Sequence, residues 1–175
     1  MLILQGFKRN YFLTQQTIKM KRILNVFLLL LITIAAAAQT DVVSVEEAIG
    51  IYNNGKLANA KTVLEKQGYR YKGVSNLAGR DYCWAKNVEL TKDFIPQSYG
   101  RGNSSIFLLA TDGKTAFLYV YNQKAFAGLK AQVRSRGYNM HTEKDGSIIC
   151  TRDKQPTITF MQLEKPMPYC IIITE

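Results

Sequence analysis

Apolar residues are distributed along this 175-residue chain in three ways. From Ile23 to Ile34 they run almost unbroken. From Val45 to Leu64, and again from Phe126 to Val133, they recur every three or four positions, the period of a helix that buries one side. Elsewhere they alternate with polar residues or form short runs bounded by Gly, Asp or Pro, the pattern of strands and their turns.

The helical stretches carry their own start and stop signals. Ser44-Val45-Glu46-Glu47 fits a capping box, in which the Ser44 hydroxyl and the Glu47 carboxylate each satisfy a backbone amide at the helix start. This predicts a short helix from Ser44 to about Asn53-Asn54-Gly55. A second helix follows, on Leu57, Ala60, Val63 and Leu64. It runs into the stretch LEKQGYRY (Leu64 to Tyr71), which is echoed by VRSRGYNM (Val133 to Met140) after the third helical stripe of Phe126, Leu129 and Val133. In both, a glycine follows the last turn and a tyrosine follows the glycine. Gly68 and Gly137 are predicted to take the left-handed conformation of a Schellman stop, with Tyr69 covering Leu64 and Tyr138 covering Val133.

Strands are predicted after each stop. The first set is Tyr69 to Lys72, Tyr82 to Ala85, Ile106 to Thr111 and Phe117 to Tyr121, with Asp112-Gly113 as a hairpin turn. The second is Tyr138 to His141, Ile148 to Arg152, Thr157 to Leu163 and Tyr169 to Thr174, with turns at Asp145-Gly146 and Lys165-Pro166. Matching positions are 69 apart for Gly68 and Gly137, 67 for Cys83 and Cys150, but 52 for Ile106 and Ile158. The first set therefore carries an insertion, placed at Thr91 to Ser104. The Ile-rich last strand would be an edge risk unless paired or covered, which leaves pairing with another copy open.

The expected fold class is α+β: two tandem repeats, each a helix plus a four-stranded antiparallel sheet, forming one curved sheet with helices on one face. Repeat one spans about 44–122 and repeat two about 123–175, within one domain at 39–175. This element order and the two Gly-Tyr stops resemble the tandem helix-plus-four-strand architecture of the beta-lactamase inhibitory protein fold, and of small uncharacterised exported bacterial proteins with helix-Gly-aromatic-strand repeats. The resemblance implies a curved sheet that presents one face to a partner, and it carries over no binding residue.

The unbroken apolar run reads as a secretory signal peptide: Lys21-Arg22 before it, about a dozen apolar residues, and Ala36-Ala37-Ala38 as a small-residue cleavage site. A membrane span would need about 20 residues. Residues 1–38 are thus expected to be removed, with 1–19 as an upstream extension, leaving a periplasmic or secreted protein with no stable membrane span. Five of the 23 basic residues and none of the 13 acidic ones lie in 1–38, so the net charge of +10 falls to +5 beyond them. The remaining cations are scattered, which argues against nucleic-acid binding. Cys83, Cys150 and Cys170 are odd in number, allow at most one bridge, fit no zinc spacing, and read as small hydrophobes in strand-like runs.

Catalytic groupings are sparse. Beyond the signal the single histidine is His141, and hairpin pairing could bring it near Cys150, the one nucleophile-base pair available to a hydrolase. Glu89, Asp93, Glu143, Asp145 and Asp153 sit in loops and turns rather than as a facing pair. Tyr99-Gly100-Arg101-Gly102-Asn103 has neither Walker nor Rossmann spacing. No cofactor or metal is predicted, and the leading expectation is a non-enzymatic module that binds a protein partner. Its candidate contacts are Phe94, Tyr99 and Arg101 of the insertion, with Tyr82, Trp84, Phe117, Tyr119 and Tyr121 as an aromatic sheet face. The alternative is an envelope carbohydrate or peptidoglycan binder that stacks sugars on Trp84 and the tyrosines.

Overall fold

The computed structural model describes residues 42–99 and 104–175. The expected signal peptide at 1–38, with its possible upstream extension, and Arg101 lie outside the described residues, as does the side chain of Tyr99. Among the described residues no helix is long and apolar enough to cross a membrane.

Among the described residues three helices form, where the periodicity places them. Helix α1, Val45–Asn54, opens on the full capping box: the Glu47 amide donates to Ser44 Oγ at 3.2 Å, and the Ser44 amide donates to a Glu47 carboxylate oxygen at 3.1 Å. The Val45 amide donates to Gln132 Oε1 at 2.9 Å, so α1 is tied to a later helix. It stops at Gly55, whose φ of 63° is the left-handed conformation. Helices α2, Leu57–Lys66, and α3, Gln123–Ser135, end in the same way as each other. The Tyr69 amide donates to the Leu64 carbonyl at 3.1 Å and the Gly68 amide to that of Glu65 at 3.0 Å. Tyr138 to Val133 (3.5 Å) and Gly137 to Arg134 (3.0 Å) repeat the pair. These are the two bonds of a Schellman motif, and the φ values of 85° and 77° at Gly68 and Gly137 are why glycine stands there.

The strands are β1 Arg70–Ser75, β2 Asp81–Lys86, β3 Val88–Leu90, β4 Pro96–Tyr99, β5 Ser105–Ala110, β6 Thr115–Val120, β7 Asn139–Thr142, β8 Ile148–Thr151, β9 Thr157–Gln162 and β10 Tyr169–Thr174. Eight of them make one antiparallel sheet in the order β1-β2-β5-β6-β10-β9-β8-β7, and β3 and β4 pair separately. The chain is thus α+β. The sheet reads as two meanders whose last strands, β6 and β10, pair with each other from Thr115↔Thr174 to Val120↔Tyr169.

One expectation is corrected, and the edge risk of the last strand is answered by pairing. Strand β10 is interior, hydrogen-bonded to β6 on one side and β9 on the other. The run Ile171-Ile172-Ile173 suits a strand packed on both faces, and the outer strands are β1 and β7. The insertion is not a plain loop from Thr91. It begins at Asn87, with a φ of 51°, and forms the β3–β4 hairpin. Val88 and Leu90 supply the alternation of a short strand.

Alternation along the sheet separates two apolar clusters. The first joins Trp84, Phe107, Leu109, Leu118, Ile158, Phe160, Ile171 and Ile173 to the buried residues of all three helices, among them Ile51, Leu64, Phe126, Leu129 and Val133. Phe126 sits edge-on to Phe160 at 5.4 Å and stacks on Tyr169 at 4.7 Å. Each such side chain contributes about 1.5–3 kcal/mol relative to exposure. The second cluster is Cys83, Ala85, Val88, Ile106, Leu108, Tyr119 and Cys170, and among the described residues no helical one belongs to it.

Candidate partner-binding face

The second cluster is built from the sheet positions that alternate with the first. Register carries it from strand to strand: Cys83 lies opposite Leu108, Leu108 opposite Phe117, and Phe117 opposite Ile172. Around the buried centre lie half-buried Leu77, Phe117, Tyr121, Met161, Met167 and Ile172. Phe117 and Tyr119 stack with centroids 6.3 Å apart and planes 10° off parallel. The result is an apolar band with a stacked aromatic pair and two half-buried methionines, Met161 and Met167, whose flexible side chains adapt readily to what packs on them.

The β3–β4 hairpin borders this band. Its tip is held by Thr91, whose Oγ1 accepts from the Asp93 amide at 3.2 Å and the Ile95 amide at 3.0 Å. Its base is closed by Ser104 Oγ, which donates to the Asn87 carbonyl at 2.7 Å. Phe94 takes a φ of 62° and packs against the second cluster, with its Cζ 3.7 Å from where a Cβ on Gly73 would sit. Gly73, at a φ of 116° beside a register shift in β1, lets that ring approach the strand. Ile95 is left 48% exposed at the tip.

The aromatic residues do not share one face. Phe117, Tyr119 and Tyr121 belong to the second cluster, whereas Tyr82 and Trp84 pack with the first. Trp84 is fully buried, edge-on to Phe107 at 6.4 Å and 5.3 Å from Tyr71. The register sets this: Trp84 lies opposite Phe107, and Phe107 opposite Leu118. Trp84 is therefore unavailable for stacking on a sugar.

His141 and Cys150 are also kept apart. Cys150 pairs with Met140 and His141 with Ile149, so the two side chains project from opposite sides of the sheet. Cys150 is buried, and His141 is 79% exposed beside Glu143 at 3.8 Å. Burial pushes the Cys150 thiol up to about 11 and those of Cys83 and Cys170 up to about 12, so none is an activated nucleophile. All three cysteines are free and buried. Among the described residues no three His, Cys, Asp or Glu side chains are grouped to hold a metal.

Sequence reasoning overlooked three contributors. Met161 and Ile172 follow from alternation with the buried Phe160 and Ile171, once the strand's inner side is known. Asp81 is 1% exposed, with one carboxylate oxygen lacking a hydrogen-bond partner among the described residues. Burial raises its carboxyl above the ordinary 3.8, partly offset by the Ala78 and Gly79 amides. No local signal marks an acid at a strand start as buried. No protein-family model, curated protein or solved structure matches the chain.

Proposed function

We propose that the protein is an exported, non-enzymatic binding module, periplasmic or secreted after loss of residues 1–38, that recognises a protein partner through an open sheet face and the 91–104 loop. The observation that carries this reading is the half-buried apolar band of Phe117, Tyr121, Met161 and Ile172, next to a hairpin that leaves Ile95 exposed. Large apolar side chains left half-covered on one face are the usual mark of a docking surface. The absence of helical residues from the second cluster supports helices on one face and a partner on the other. The meeting of two helix-led meanders at β6–β10 supports two tandem helix-plus-four-strand repeats, as the likeness to the beta-lactamase inhibitory protein fold would have it.

The test is affinity capture from an envelope extract at physiological salt, with the wild type and the double variant Ile95→Ser/Phe117→Ser. Retained proteins are identified by mass spectrometry, and Trp84 emission verifies that the variant is folded. A partner held by the wild type and weakened about 30-fold by the variant, as for a hot-spot pair, supports the reading. No retained partner, or equal retention by both proteins, refutes it. N-terminal sequencing of the exported chain tests cleavage after Ala38.

A further inference from the structure

We infer that the groove between β1 and the β3–β4 hairpin binds an extended, carboxylate-bearing peptide segment, with Arg70 and Lys72 as the groups that hold its acids. The inference rests on the protein-partner reading and names the partner's chemistry. The groove encloses about 770 Å³. Ala85 and Val88 line it and also belong to the second cluster, so the groove is continuous with the apolar band.

Charge and hydrogen-bonding groups are placed on its two sides. Arg70 and Lys72 come from β1, are exposed, and enter no ion pair with a described residue; the pairs present are Lys61–Glu65, Arg136–Glu46 and His141–Glu143. Glu89, Gln97 and Ser98 come from the hairpin, so the two cations face one carboxylate and the lining keeps a net charge of +1. Both cations line the groove, so an acidic chain laid along it meets two positive groups that can each hold a carboxylate. The hairpin side offers acceptors and donors to that chain's amides.

The groove is also held open in advance. Phe94 against Gly73 fixes the hairpin tip to β1, and Ser104 with Asn87 fixes its base. A preformed site loses less freedom on binding. β1 is an outer strand, yet the register shift between Tyr71 and Gly73 breaks its regular edge. Side chains rather than strand addition therefore supply the contacts. Two cations without a longer basic stripe suit carboxylates better than a phosphate backbone.

The experiment is fluorescence anisotropy on the purified protein expressed from the full-length sequence, with a labelled octapeptide of alternating Glu and Val as probe and a Lys-Val octapeptide beside it. The variants are Arg70→Gln/Lys72→Gln and the charge-matched Lys124→Gln/Lys144→Gln away from the groove. Saturable binding of the acidic peptide is expected, weakened about 10-fold or more by the groove pair and within about twofold for the control pair, with no binding of the basic peptide. No saturable binding, equal loss in both variants, or displacement by free glutamate or tripolyphosphate as effective as by unlabelled peptide overturns the assignment. A captured partner that Arg70→Gln/Lys72→Gln still retains in full sinks the groove while leaving the protein-partner reading intact; no captured partner removes both.

Discussion

The two Gly-Tyr stops share a backbone motif but expose their tyrosines to different surroundings, and removing each hydroxyl should move stability in different directions. Tyr69 is 2% exposed; its hydroxyl accepts from the Val43 amide at 3.2 Å and lies 2.7 Å from Ser105 Oγ. Val43 and Ser105 are themselves fully buried. Tyr69→Phe leaves an amide and a hydroxyl without partners away from water, at about 1–3 kcal/mol for each such group. Allowing for partial relaxation, the expected loss is about 2–3 kcal/mol. The Tyr138 hydroxyl is buried with no hydrogen-bond partner among the described residues, so Tyr138→Phe removes a desolvated group and should be neutral or slightly stabilising.

The assay is urea unfolding at pH 7, followed by the emission of the buried Trp84. At about 1–3 kcal/mol per molar urea, the Tyr69 variant should lose roughly 1 M in midpoint, with an unchanged slope. Burial pushes the Tyr69 phenol up to about 12, so it stays protonated at the assay pH. Because the folded pKa is the higher, its contribution is complete below the ordinary value of 10.0 and is lost only as pH rises from there toward 12. Adding Ser105→Ala to Tyr69→Phe should cost less than the sum of the two single changes, by about 1 kcal/mol. A Tyr69 variant within 0.5 kcal/mol of wild type, or a Tyr138 variant that loses as much as Tyr69→Phe, would refute the reasoning, as about 0.5 kcal/mol is the limit of additivity noise.

Three further outcomes are expected. Gly137→Ala meets no atom within 4 Å, so its cost is purely that of the left-handed backbone, about 1–2 kcal/mol by the same urea assay. For Asp81, burial raises the folded pKa above 3.8, so the folded state holds its proton longer and the acid's contribution to stability falls as pH rises through that pKa; Asp81→Asn should therefore gain most relative to wild type at neutral pH and least near pH 3, in melting temperatures recorded from about pH 3 to 7. Cys150, buried and with its thiol pushed up to about 11, should resist iodoacetamide at pH 7 in the folded protein whether or not His141 is changed to Ala, and rapid labelling that depends on His141 would restore the nucleophile idea.

Local chemistry made most of the elements readable. Ser44 with Glu47, the glycines at 55, 68 and 137, and the Asp112-Gly113 turn each act within a few residues, and the ends they mark agree with the structure to within about two residues. The insertion between Cys83 and Ile106 was readable from the spacing, though not its hairpin, because Asn87 in the left-handed region leaves only a weak signature. Relations between distant strands were not readable. Alternation groups Phe117 with Tyr119 and Tyr82 with Trp84, but register across β2, β5 and β6 decides that the two groups face oppositely. A one-residue difference in register likewise separates His141 from Cys150. The pairing of β10 with β6 joins residues 49 to 59 positions apart, from Val120 with Tyr169 to Thr115 with Thr174, and that is not a local property.

The hairpin explains why the half-buried part of the open face lies over the central strands β6, β10 and β9 rather than over β2 and β5. Between β2 and β5 the chain takes the long route through β3 and β4, whereas between β8 and β9 it turns within Arg152 to Pro156, with Lys154 at a φ of 55°. Val88, Leu90 and Phe94 thus pack on the cluster of Cys83, Ala85, Ile106 and Leu108, while Phe117, Met161 and Ile172 stay half-buried. Joining Asn87 to Ser104 is geometrically simple, since Ser104 Oγ and the Asn87 carbonyl are already 2.7 Å apart. Removing residues 88–103 should leave the eight-stranded sheet formed by circular dichroism but uncover apolar area at about 25 cal/mol per Å², and such a face should self-associate on size-exclusion chromatography. A deletion variant that stays monomeric and keeps partner binding would mean that the hairpin is neither cover nor contact, and that the sheet face alone is sufficient.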